Sequence, residues 1–173
     1  MKTFLLSLLI IPSLLFANPE PKTINWISFE KAIELNKTNP RPILVDVYTD
    51  WCTWCHKMDA STYKENTIVD YINNNFYAVK LNAEQKEPIT YNDHTFKFVA
   101  NGRRGYHEFA NALLNGKLSF PSTVFLNKKQ ELVQVVPGYL QAPMMEKLIN
   151  YMGEEVYLNK EWAEFEKSFK SKI

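Results

Sequence analysis

The sequence predicts an α/β fold in one domain, and three observations carry that prediction. Short β-branched runs, "ILVDV", "STVFL" and "ELVQVV", alternate with stretches whose apolar residues recur at helical spacing. The 173 residues suffice for one ordinary hydrophobic core rather than two, and 46% of them are hydrophobic. No internal repeat or low-complexity linker divides the chain.

The elements follow in order. "ISFEKAIELNK" (27–37) offers Ser28 as a helix N-cap, with Phe29, Ala32 and Ile33 on one stripe. "RPILVDVYTD" (41–50) has the continuous apolar character of a strand buried on both faces, interrupted only by Asp46. A helix is expected from Cys52 to about Lys64, then a shorter one over "TIVDYINNN", leading into the strand "FYAVKLNAE". Ile89/Tyr91 and Phe96/Phe98 alternate around Asn92-Asp93, the pattern of a hairpin. "YHEFANALLNG" is read as a helix stopped by Gly116. "STVFLN" and "ELVQVV" form two strands across a lysine-rich turn. "APMMEKLINYM" follows, with Met144, Met145, Leu148, Ile149 and Met152 on its core face, and "LNKEWAEFEKSFK" carries Leu158, Trp162, Phe165 and Phe169 on another.

The first residues have their own logic. Lys2 precedes an apolar run from Phe4 to Phe16, interrupted by Pro12, which is too short for a mature membrane span but suits a secretory leader. Cleavage is expected near Ala17, although Leu15 is larger than the residue usually found there. Residues 1–17 are thus assigned to the leader and 18–173 to the domain, with a core of about 24–152 and a helical extension over 153–173. Removing the leader and its one lysine leaves a formally neutral protein, periplasmic or secreted, with no stable membrane insertion. Without a basic excess, nucleic acid is not its partner.

Cys52 and Cys55, the only two cysteines, lie in "DWCTWCHK". C-x-x-C can be a redox dithiol, C-x-x-C-H can anchor a haem, and Cys-Cys-His can begin a zinc site. A zinc site lacks a second close ligand pair, and haem needs an axial ligand such as His94 or His107. A structural staple is weak, because so short a loop constrains the unfolded chain little. Placement favours redox chemistry. The pair sits where a buried strand hands over to a helix, and the unpaired amides of a helix N-terminus stabilise a thiolate.

"ILVDVYTDWCTWCHKM" resembles the active-site strand and loop of thioredoxins, and the periplasmic thioredoxin-like domains of bacterial thiol reductases look most similar. "VKLNAEQ" resembles the next core strand of that family, "SFPSTVFLN" its cis-proline loop and "VVPGYL" its later glycine turn. The resemblance implies a thioredoxin-like fold: a central mixed β-sheet flanked by helices, here with a hairpin insertion (83–119) before the cis-proline loop and an extra C-terminal helix. It also implies a thiol:disulfide oxidoreductase in which Cys52 attacks a partner disulfide and Cys55 resolves the adduct. Asp46 is then the buried acid that exchanges the proton of Cys55, with Lys80 beside it. Trp51, Phe120, Pro121 and Gly138 form the surface that receives substrate, and the Phe120–Pro121 bond is cis.

Thr53-Trp54 replaces the family's usual Gly-Pro between the cysteines. It puts no cation between the sulfurs, and an ionised Asp46 disfavours a thiolate, so the expected direction is reduction. The potential should lie nearer thioredoxin's ~−270 mV than the ~−120 mV of DsbA. His56, one turn after Cys52, either steadies the thiolate when charged or is a solvated surface group. His107, Glu108, Arg103 and Arg104 are read as solvated. Both electrons reside on sulfur, so no cofactor or metal is required. The partners implied are disulfide-containing client proteins and an upstream thiol donor such as a membrane reductase. The competing class is a thioredoxin-fold docking scaffold, which has no need of a buried acid.

Overall fold

A computed structural model describes residues 22–173, so the assigned leader lies outside the described residues. The chain runs through β1 (Trp26–Ile27), α1 (Phe29–Asn36), β2 (Ile43–Tyr48), α2 (Thr53–Ala60), α3 (Asn66–Asn75) and β3 (Tyr77–Asn82). Two hairpins follow, β4 (Ile89–Tyr91) with β5 (His94–Phe96) and β6 (Phe98–Asn101) with β7 (Arg104–His107). Then come α4 (Glu108–Leu113), β8 (Ser122–Leu126), β9 (Leu132–Pro137), α5 (Ala142–Gly153) and α6 (Trp162–Ser168).

The main sheet has the order β1-β3-β2-β8-β9. The central strand β2 is parallel to β3 and antiparallel to β8, which makes the sheet mixed as expected. Alternation of side chains along a strand then divides the core in two. Ile43, Val45 and Val47 face one side, where Phe29, Ala32, Phe109 and Leu113 of α1 and α4 cover them. Leu44 faces the other, against Ile68, Ile72, Met145 and Ile149 of α3 and α5. Asp46, two residues after Leu44, points to this second side, which also holds Met58 of α2 and Tyr63. A carboxylate is therefore buried in the apolar layer beneath α2.

Several elements depart from expectation. The helix after Cys52 ends at Ala60, where Ser61 leaves helical geometry (φ −124°, ψ −78°), and a 3-10 turn over Thr62–Lys64 completes the run. The β4–β5 hairpin turns at Asn92 and Asp93, both in the left-handed region as a tight two-residue turn requires. Phe98, however, opens a second hairpin, in which Gly102 (φ +60°) supplies the first turn residue. Tyr106 and His107 belong to that hairpin, so α4 starts only at Glu108. On α5 the core face holds Met145, Leu148, Ile149 and Met152, while Met144 points outward. Leu158 is exposed because it sits in a 3-10 turn ahead of α6; Trp162, Phe165 and Phe169 of the extension pack without it against Tyr151 and one another. Among the described residues no helix is long and apolar enough to cross a membrane.

Candidate functional site

The C-terminal end of β2 delivers the two cysteines. Cys52 donates its N–H to the Thr49 carbonyl (3.1 Å) and forms the N-cap of α2. Its carbonyl accepts the N–H groups of Cys55 and His56, and its Sγ accepts the Cys55 N–H as well (3.1 Å). The side chain that performs the capping is thus a sulfur, at the place where serine or aspartate oxygen usually serves. The two cysteines are joined in a disulfide with Cα atoms 5.3 Å apart. Cys52 is the less buried of the pair, but by little: 5% exposed against 1%.

Pro121 stands at the head of β8, whose first residue Ser122 pairs with Val47 of β2, so the proline loop is adjacent to the strand end that carries the disulfide. The Phe120–Pro121 bond is cis, and the Pro121 carbonyl accepts the N–H of Gly138 (2.7 Å), a glycine at φ +95° where a side chain would be strained. Trp51 is 49% exposed, meets Phe120 edge-on with centroids 6.0 Å apart, and donates its indole N–H to Glu84 (3.1 Å). Trp54, 55% exposed, packs against Tyr139 (5.6 Å).

Asp46 pairs in register with Lys80 of β3, and the Lys80 ammonium lies 2.6 Å from its Oδ2. Its other oxygen, Oδ1, is buried without a hydrogen-bond partner. Burial raises the Asp46 pKa to about 6, against the opposing pull of the Lys80 charge. Lys80 also bonds Asp59 and lies over the rings of Trp26, Tyr48 and Tyr63 at 5.0–5.4 Å. Burial disfavours its charge, but the two carboxylates more than offset that and hold its pKa above the ordinary value. Asp59 was not anticipated from sequence. Its signal was available, since it lies one helical turn after Cys55 on α2.

Other polar residues need correction. His107 is not solvated but fully buried at the β7–α4 junction. Its Nδ1 accepts the Phe109 N–H (3.2 Å), capping α4, and its Nε2 donates to the Glu87 carbonyl (3.1 Å); burial lowers its pKa. Glu108 is half-buried and accepts the Lys97 N–H. Arg104 is not merely solvated either: its guanidinium lies 4.3 Å from the Trp51 ring centroid. Arg103 is exposed as expected, and so is His56, whose Nε2 lies 2.9 Å from the Asp50 carbonyl oxygen.

Fold and site define the class: a thioredoxin-fold protein with a redox-type cysteine pair, joined at disulfide distance on a helix N-terminus. Residues 29–153 match the family model of the thioredoxin-like domain, and the chain belongs to that family. A Caenorhabditis elegans protein described as uncharacterized protein B0495.5 is 26% identical over 84 residues, which are 48% of this chain and 12% of that protein. Among solved structures, a thioredoxin-fold protein from Helicobacter pylori aligns with a TM-score of 0.56 at 18% identity, over 75% of this chain and 80% of its own. DsbH oxidoreductase aligns at 0.54 and 19%, over 80% and 92%. A putative disulphide-isomerase from Bacteroides thetaiotaomicron aligns at 0.55 and 21%, over 79% and 97%. At these identities the likeness to each structure is one of fold.

Proposed function

We propose that this protein reduces disulfides of client proteins outside the cytoplasm, drawing electrons from an upstream dithiol such as a membrane reductase. The observation that carries the reading is a disulfide capping a helix N-terminus, above a buried carboxylate that keeps one oxygen unbonded. In the reduced protein the Cys52 thiolate attacks one client sulfur; the client S–S bond breaks and the departing thiolate takes a proton. Cys55 loses its proton through water to Asp46, and its thiolate attacks Cys52 in the mixed disulfide. The client leaves as its second thiolate, which takes the proton back from Asp46 through water, and the enzyme is left with the Cys52–Cys55 bond, to be reduced again by the donor. Lys80 steadies the charge of Asp46, while the Asp59 carboxylate opposes it. Trp51, Phe120, Pro121 and Gly138 receive the client segment as an extended strand beside Cys52. The leader over residues 1–17 supports a periplasmic or secreted location.

Reduction rather than oxidation is favoured because Thr53 and Trp54 bring no positive charge between the sulfurs and the ionised Asp46 opposes a thiolate. Substitution separates the two thiols: Cys55→Ser should trap clients as adducts released by dithiothreitol, whereas Cys52→Ser should trap none. Trapping by Cys52→Ser would reverse the roles. Equilibration with glutathione tests direction, with a potential expected near ~−270 mV and a value near ~−120 mV defeating it. Failure to accelerate dithiothreitol reduction of any disulfide protein would leave the docking-scaffold class instead.

A further inference from the structure

The residues around the disulfide carry a charge asymmetry that the whole chain lacks. The sequence holds 20 basic and 19 acidic residues. Yet each exposed tryptophan flanking the cysteines is covered by a cation: Arg104 over Trp51 at 4.3 Å, and Lys57 over Trp54 at 4.7 Å and Tyr139 at 5.4 Å. The two arrangements sit at the two ends of the proline loop. Trp51 packs on Phe120, the residue before Pro121. Tyr139 follows Gly138, whose N–H is bonded to the Pro121 carbonyl.

The β6–β7 hairpin extends the first arrangement. A cleft of about 390 Å³ between it and the disulfide loop is lined by Lys86, Phe98, Arg103 and Arg104, and by Asp50 and Glu84. Those two acids accept only neutral donors, Asp50 the Asn82 amide (3.0 Å) and Glu84 the Trp51 indole, and the three cations of the cleft outnumber them. By contrast, none of Lys57, Lys86, Arg103 and Arg104 has a carboxylate within ion-pair distance among the described residues. Hairpin geometry holds Arg104 in place. It pairs with Asn101, and the next residue, Gly105, lies so close to the Phe98 ring that no side chain fits there.

We propose that this face selects client disulfides flanked by acidic residues, with client carboxylates received by Arg104 on the Trp51 side and by Lys57 on the Trp54 side. The insertion is then a specificity element, and the proposal rests on the oxidoreductase reading above. A cation over an aromatic ring keeps its stem immobilised and its charge available, so a client carboxylate gains attraction without first ordering a flexible side chain.

Adduct formation tests it irrespective of the direction of the physiological reaction. Reduced Cys55→Ser protein is mixed with peptides whose single cysteine is linked to a neutral thiopyridyl group. The Cys52 thiolate attacks the peptide sulfur, the S–S bond breaks, and the released thiopyridone takes up a proton and is read by absorbance. A peptide with glutamates on both sides of its cysteine should react about tenfold faster at low salt than one with lysines there. That ratio should fall toward unity at high salt. It should do the same when Lys57→Gln and Arg104→Gln are added. The salt series needs no further variant and stands if the multiple substitution misfolds. Equal rates for the two peptides, a preference for the basic one, or a ratio that survives loss of both cations would each overturn the proposal and leave the oxidoreductase reading intact. Faster reaction with oxidised glutathione than with the acidic peptide, lost with the same substitutions, would overturn it in favour of a small anionic disulfide. No adduct with any peptide would defeat both.

Discussion

Two carboxylates among the described residues are buried to 1% exposure, and they are held very differently. Glu146 on α5 is saturated: Oε2 accepts the Ser171 hydroxyl (2.5 Å) and Oε1 the Lys172 N–H (2.7 Å), so the acid pins the end of the C-terminal extension. Asp46 has only Lys80, on one oxygen, and leaves the other unbonded in an apolar layer. Burial alone therefore does not mark a working acid. A carboxylate whose two oxygens both accept hydrogen bonds holds structure together, whereas one left half-satisfied keeps a free acceptor site.

The comparison breaks first at Asp46. Asp46→Asn should slow resolution of mixed disulfides at pH 7 by roughly tenfold to a hundredfold, read by rapid-quench kinetics, because the proton of Cys55 loses its acceptor. The same change should stabilise the fold. Asp46 titrates at about 6 in the native protein and near 3.8 in the unfolded chain. Between those values the native state binds the proton more tightly, so stability falls as pH rises through the window and stays reduced above it. The variant should remove that slope and be more stable at pH 7 by on the order of 2 kcal/mol in urea titrations. Unchanged turnover would remove Asp46 from the reaction.

Glu146→Gln is the opposite case. It should cost about 1–2 kcal/mol, since one of the two donors it satisfies is left facing an amide N–H₂. Specific activity of the folded protein should be unchanged. A loss of activity without a loss of stability would mean that the two acids are not separable in this way.

Lys80→Met sharpens the contrast with a smaller effect. Lys80 holds the Asp46 pKa down against burial, so the midpoint seen by carboxyl NMR should move above 6. A midpoint that stays or falls would show that Lys80 is not the charge Asp46 senses.

What the sequence made legible was whatever is local or periodic. Ser28 accepting the Lys31 N–H, the apolar faces of α1 and α3, and the Asn92-Asp93 turn all follow from neighbouring residues. Asp46, Lys80 and Pro121 were readable because the family resemblance placed them in one strand order, and the sheet register brings Asp46 opposite Lys80. Contacts across the fold were not legible. The helix face that Asp59 shares with Cys55 was legible, but its bond to Lys80 was not, and Arg104 reaches Trp51 only because a second hairpin folds back over the disulfide loop. The turn in "NGRRG" is legible, but the strands beside it are not, because they are four residues long and polar at the turn, with little alternation to mark them. His107 was misread as a surface group for a related reason: at a strand-to-helix junction its ring serves two backbone groups, a use with no sequence period.

The sulfur cap of α2 has a consequence for motion. In the proposed reaction the atom that exchanges bonds with a client is also one of the two that accept the Cys55 N–H, so the chemical step and the fraying of the first helical turn share one group. If Cys52 is drawn into a mixed disulfide and its sulfur turns outward, the amide is left with the Cys52 carbonyl alone. The Cys55 N–H should then exchange with solvent faster in a Cys55→Ser adduct, at the serine in that position, than in the same variant free and reduced. Hydrogen exchange at that one site would time the opening of the helix against each turnover.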